Sequence, residues 1–115
     1  MSWKVSRAIN YVEAHLAQPL RPYQLAKIAR LSTAHFSRSF KATTGLTPNQ
    51  FVMNRRLHRA VELLSASDKS LIDIAAVCGF SDQSHFGRVF KRTFGLTPGA
   101  WRRSPRPLTC FRDAA

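Results

Sequence analysis

The stretch FSRSFKATTGLTP (Phe36–Pro48) returns fifty residues later as FGRVFKRTFGLTP (Phe86–Pro98). Nine of the thirteen positions are identical, and His35 and His85 extend the match one residue towards the N-terminus. Further upstream, LAKIARLS (Leu25–Ser32) matches IAAVCGFS (Ile74–Ser81) at an offset of 49, so one residue separates the two turn regions. A repeat at this interval restricts the fold to one small unit built twice. Each copy is near the ~40 residues below which a core rarely holds without disulfides or metals. The chain is therefore read as one compact domain, or as two very small ones sharing a strut.

The elements follow from apolar spacing and from caps. Val5, Ala8, Ile9, Val12 and Leu16 recur at helical intervals, and Pro19 is expected to stop that first helix. Pro22 suits the first turn of a second helix, with Leu25, Ala26, Ile28 and Ala29 on its buried side. Ser32 is a good N-cap for a third helix ending before Gly45, a residue suited to the left-handed cap position. Thr47 and Pro48 restart the chain as a longer helix whose apolar stripe is Met53, Leu57, Ala60, Val61 and Leu64. After the polar SASDKS, Ser70 and Asp73 resemble a capping box. Gly79–Ser81 form a turn, a helix runs from about Asp82 to Phe94, and Thr97–Pro98 begin a last short helix before Pro105 and Pro107. The pattern predicts an all-α fold of about seven helices without strands: a helix-turn-helix written twice. The boundaries expected are 1–47 for the first helix-turn-helix subdomain, 48–65 for a linker helix, 66–104 for the second subdomain and 105–115 for a C-terminal tail.

Charge narrows the partner. Lys and Arg number 18 against 6 Asp and Glu, a formal net charge of +12, and a field of that sign concentrates polyanions. Nucleic acid is the leading partner and an anionic membrane surface the second. No stretch approaches the roughly 20 apolar residues that span a bilayer, and the N-terminus lacks the apolar core of a signal peptide, so a cytoplasmic protein without a membrane partner is expected. Catalysis fits poorly. There is no Gly-rich phosphate cradle, and His58 with Glu62 supply two possible metal ligands where a catalytic site needs about three, so no cofactor or metal is expected. Cys78, in the apolar run IAAVCGF, reads as a small buried hydrophobe, and Cys110 forms no motif with it. A single-strand RNA binder should stack bases on exposed aromatics, whereas most Phe here lie on apolar stripes.

The repeated helix carries the interface. At about 100° per residue, Phe36 and Phe40 share one side, as do Phe86 and Phe90, and these rings belong to the core. Arg38 falls almost opposite them with Ala34 and Lys41 nearby; Arg88, Ser84 and Lys91 take the same places in the second copy. A charged residue opposite a buried stripe is usually only solvated. Here Arg and Lys recur at the same positions of both copies, after a tight turn, with almost no acidic residue nearby. Arginine can bond the O6/N7 edge of guanine, and lysine is a point charge suited to phosphate. The N-terminal turns of a recognition helix enter the major groove. Thr33, Ala34, Ser37 and Arg38, and Gln83, Ser84, Gly87 and Arg88, are accordingly the base-facing candidates. Lys41, Lys91 and Arg92 fall nearer the DNA backbone. Arg55, Arg56 and Arg59, on the polar side of the linker helix, are either solvated or near bridging phosphates. That helix would span about 25 Å and could hold two recognition helices about 34 Å apart, the spacing of successive major-groove openings.

These residues resemble the DNA-binding domain of AraC/XylS-type bacterial transcription regulators. The resemblance rests on IAAVCGFSDQSHFGRVFKRTFGLTPGAWR (Ile74–Arg102) and, more weakly, on LAKIARLSTAHFSRSFKATTGLTP (Leu25–Pro48), and covers about Val5 to Arg103. It implies two helix-turn-helix subdomains joined by one helix, binding an asymmetric double-stranded DNA site as a protomer or as half of a dimer. It also implies regulation of transcription through RNA polymerase. The family's base-contacting positions fall on Ala34, Ser37 and Arg38, and on Gln83, Ser84, Gly87 and Arg88. Two features depart from its pattern. Arg30 stands where the second copy has Gly79, which suggests a different turn; and Ala34, Ser37 and Gly87 are small, which shifts specificity towards shape and phosphate contacts. Many members add a sensing or dimerisation domain, so this chain, expected to be monomeric alone, is read as a fragment of a larger regulator in preference to a complete small activator.

Overall fold

The computed structural model describes Trp3–Ser104; the tail expected at 105–115, with Pro105, Pro107 and Cys110, lies outside the described residues. Seven helices and no strand occur among those residues: α1 (Trp3–Ala14), α2 (Pro22–Ile28), α3 (Thr33–Thr44), α4 (Pro48–Ala66), α5 (Leu71–Val77), α6 (Gln83–Phe94) and α7 (Pro98–Arg103). The chain divides into two compact units inside α4, between Arg55 and Arg56.

The first unit packs α1 against α2 and α3. Val5, Ala8 and Val12 of α1, Leu25, Ala26 and Ala29 around α2, and Phe36 and Phe40 of α3 are buried together, joined by Val52 from the start of α4. Phe40 and Phe51 meet edge to face with ring centroids 5.2 Å apart. Helix α1 stops at Ala14, five residues before Pro19. The expected stop signal is superseded by His15, whose ring stacks on Tyr11 at 3.9 Å and whose Nδ1 lies 2.9 Å from the Tyr11 carbonyl. That contact satisfies a carbonyl the helix end would leave free. Leu16 and Leu20 then reach the core from the turn that follows, not from helical positions.

In the second unit α5 packs against α6, and α6 against α7. The C-terminal part of α4 buries Leu57, Ala60, Val61 and Leu64, while Met53 is only half-buried. Aromatic rings run through this unit in sequence: Phe80 on Phe86, Phe86 on Phe90, Phe90 on Phe94, and both Phe90 and Phe94 on Trp101. Cys78 is fully buried, as its run implied, and burial pushes its thiol up to about 11 against the opposing pull of Arg59 and Arg56.

Arg102 has a role that motif reading did not assign. Its guanidinium donates to the carbonyls of Lys69 at 2.7 Å and Ser67 at 3.2 Å, and more weakly to Leu63 at 3.4 Å, while Nε donates to Leu64 at 3.3 Å. A planar cation at the C-terminal end of α4 meets the negative end of the helix dipole, and it shares the Leu63 carbonyl with the Ser67 amide and hydroxyl. The corresponding residue of the first copy, Val52, is buried in the core instead.

Candidate nucleic-acid interface

Both recognition helices begin and end on sequence-encoded devices. Ser32 caps α3, its Oγ accepting from the His35 amide at 3.2 Å, and Asp82 caps α6 by accepting from the His85 amide at 2.7 Å. Gly45 and Gly95 close them at φ +80° and +81°, each donating its amide to the carbonyl of Lys41 or Lys91. The one-residue offset between the copies is Ser81, inserted before the second cap. Its hydroxyl lies 3.2 Å from His85 Nδ1, while the His85 ring sits edge-on to Phe80.

The turns before the two helices are the same turn, contrary to the reading of Arg30 as a departure. Leu31 donates to the Ala26 carbonyl at 3.0 Å, and Phe80 donates to Ala75 at 2.9 Å; Arg30 and Gly79 bond Lys27 and Ala76 in the same way. Both residues take the left-handed conformation, Arg30 at φ +59° and Gly79 at φ +87°. Backbone hydrogen bonding dictates the turn, and the arginine adopts what glycine adopts freely.

With the four Phe fully buried, the opposite faces of α3 and α6 are displayed. Thr33, Ala34, Arg38 and Lys41 are exposed and Ser37 is half-buried; Gln83, Ser84, Arg88, Lys91 and Arg92 are exposed and Gly87 is half-buried. Ser37, Arg38 and Lys41 line one open hollow with Ala42 and Thr47. Among the described residues no carboxylate pairs with Arg38, Lys41, Arg88, Lys91 or Arg92. A Cβ added at Gly87 would meet nothing within 4 Å, so packing does not require glycine there.

The three arginines of α4 are placed differently from one another. Arg55 is held by Glu13 of α1, with Nε 2.7 Å from Oε1 and Nη2 donating to Oε2 at 3.4 Å; the shorter approach is an ion pair and not an aligned hydrogen bond. Arg56 is half-buried, and burial lowers its pKa while its charge lies close enough to Cys78 to couple with it. Arg59 is the exposed member of the three. The Glu13–Arg55 pair spans 42 positions of sequence and has no local signal. Among the described residues no group of three His, Cys, Asp or Glu could hold a metal ion, and no helix is long and apolar enough to cross a membrane.

A family model described as a helix-turn-helix domain matches residues 25–104, well over half of the chain. The probable transcriptional regulator LumQ of Photobacterium leiognathi is 39% identical over 75 residues, covering 65% of this chain and 30% of that protein. The chain spans less than a third of the length of such curated relatives. Among solved structures, the DNA-binding domain of AdpA, a global transcriptional factor seen with a target DNA, superposes with a TM-score of 0.84 at 29% identity, covering 90% of this chain and 98% of that one. A transcriptional regulator of the AraC-type DNA-binding class from Chromobacterium violaceum gives a TM-score of 0.80 at 32% identity, covering 87% and 89%. The doubled helix-turn-helix, its capped recognition helices and these matches lead to one conclusion: the chain belongs to the AraC-type family of helix-turn-helix domains.

Proposed function

We propose that this chain binds double-stranded DNA sequence-specifically, placing α3 and α6 in successive major grooves, and thereby regulates transcription. The observation that carries the reading is the pair of outward faces on α3 and α6. Each offers an arginine and a lysine, exposed and unpaired among the described residues, opposite two buried Phe. In this reading Thr33, Ala34, Ser37 and Arg38 face bases in one groove, and Gln83, Ser84, Gly87 and Arg88 in the next. Arg38 and Arg88 are the bidentate guanine readers, and Gln83 suits an adenine edge. Lys41, Lys91, Arg92 and Arg59 hold phosphates; Arg55, tied to Glu13, and half-buried Arg56 contribute positive potential.

The domain boundaries expected from sequence, with 48–65 as a linker between subdomains 1–47 and 66–104, become a proposal about α4. It runs without interruption for 19 residues from one copy to the next, about 28 Å of helix, and acts as the strut. The protein acts by binding and not by catalysis, in the cytoplasm, with RNA polymerase as a downstream partner. The relatives' greater length supports a sensing or dimerisation domain elsewhere in the complete regulator.

Selection from a random duplex pool tests the reading. One asymmetric motif with two half-sites about one helical turn apart is expected; no enriched motif at moderate salt would refute it.

A further inference from the structure

We propose that Arg30 is a phosphate contact of the first helix-turn-helix, gripping the DNA backbone beside the base pairs read by α3. The inference rests on the duplex-binding reading and adds a residue that neither the motif nor the helical stripe assigns. Among the described residues Arg30 is the one non-glycine residue at positive φ. An L-residue other than Asn or Asp is strained in that conformation. The same turn in the second copy is made by Gly79 with the same hydrogen bonds, so the turn itself has no use for a side chain.

Nor does the rest of the fold use it. Arg30 is exposed, and its guanidinium meets no carboxylate, carbonyl or ring among the described residues. Its position supplies what the fold does not. Arg30 lies two residues before Ser32, the N-cap of α3, and so stands at the end of the helix whose first turns carry Thr33, Ala34, Ser37 and Arg38. That end already carries the positive pole of the helix dipole. Being outside the helix, the arginine is off the base-facing row, which leaves the flanking backbone as its target. Its planar fork matches two phosphate oxygens.

The test uses the whole chain and a duplex from the selected pool. Arg30→Asn removes the charge but tolerates the left-handed turn, Arg30→Gly also removes the conformational cost, and Arg30→Lys keeps the charge. Melting temperatures should rise slightly for Arg30→Asn and more for Arg30→Gly, confirming that both fold. Both should bind all duplexes more weakly, with the magnitude of the log–log salt slope reduced by about 0.9. The wild-type advantage should therefore be about 3.5-fold larger at 50 mM salt than at 200 mM. Arg30→Lys should retain the wild-type slope. Lys69→Ala, a loss of one exposed cation outside either recognition helix, should leave the slope unchanged. An unchanged slope for Arg30→Asn and Arg30→Gly, or an equal reduction for Lys69→Ala, overturns the assignment of Arg30 while leaving duplex binding intact. Failure of the wild-type protein to prefer any selected duplex overturns the underlying reading first.

Discussion

The two copies make the same scaffold with different chemistry. In the first, the end of α3 is held by a hydroxyl: Thr44 Oγ1 lies 2.8 Å from the Phe40 carbonyl, and the Leu46 amide donates to it at 3.2 Å. In the second, the equivalent residue is Phe94, which packs on Phe90 and Trp101. Leu31 likewise stands where the second copy has Phe80, and Val52 where it has Arg102. At these exchanged positions the first unit uses aliphatic side chains and a local hydroxyl, the second two further rings and an arginine that gathers backbone carbonyls. What survives the exchange is the pair of Phe, the left-handed glycine and the Thr-Pro restart. Those fix where each recognition helix starts, stops and faces, and the rest of each core is free to differ.

The comparison breaks most completely if the strut is altered. Two alanines inserted between Arg55 and Arg56 leave Val52 in its core and Leu57, Ala60, Val61 and Leu64 in theirs, but turn one copy by about 200° about the helix axis. Affinity for the full selected site should fall on the order of a thousandfold, towards the non-specific level. Retention of wild-type affinity in an electrophoretic shift assay would refute the strut. Next in size are the buried rings. Among the described residues Phe90 meets three aromatic rings and Phe40 two, so in urea unfolding Phe90→Ala should cost about 5 kcal/mol and Phe40→Ala about 3 kcal/mol, the ends of the range for such deletions. The reverse order would show that ring contacts do not distinguish the copies.

On the outer face the effects are smaller and differ in kind. Arg88→Ala should lose about 1–3 kcal/mol of discrimination at one base pair, whereas Lys91→Ala should weaken all sequences alike and lower the salt slope by about one unit. Binding profiles that exchanged these behaviours would reverse the two assignments. The smallest effect is expected at Gly87. It is Ser37 in the first copy and has open space around it, so Gly87→Ala should raise stability by about 0.5–1 kcal/mol in thermal melts. A loss of stability would mean that the helix needs glycine for a reason its surroundings do not contain.

Local chemistry was legible in the sequence and distant chemistry was not. Ser32, Gly45, Ser70, Gly95 and the Thr-Pro pairs act within four residues of themselves, and each helix they delimit is found as expected. Asp82 was expected inside α6 and serves instead as its cap, a shift of one residue. Pro19 misled because a nearer side chain, His15, finishes α1 first. The turn at Arg30 misled because hydrogen bonding, not residue type, sets its conformation. Glu13–Arg55 and the contacts of Arg102 join residues more than thirty positions apart, so nothing in the neighbouring sequence announces them. For the interface, the exposed stripes followed from periodicity alone, whereas the differing surroundings of Arg55, Arg56 and Arg59 are set by tertiary packing that no local pattern encodes.

Helix α4 carries a last consequence. Its first turns supply Val52 to one core and its later turns supply Leu57 to Leu64 to the other. Starting a helix is the unfavourable step of its formation, and each residue added afterwards is comparatively easy. A helix shared in this way is nucleated once for two cores. Whichever copy orders first hands the other a growing end, so the duplicated halves are kinetically coupled through a backbone they hold in common.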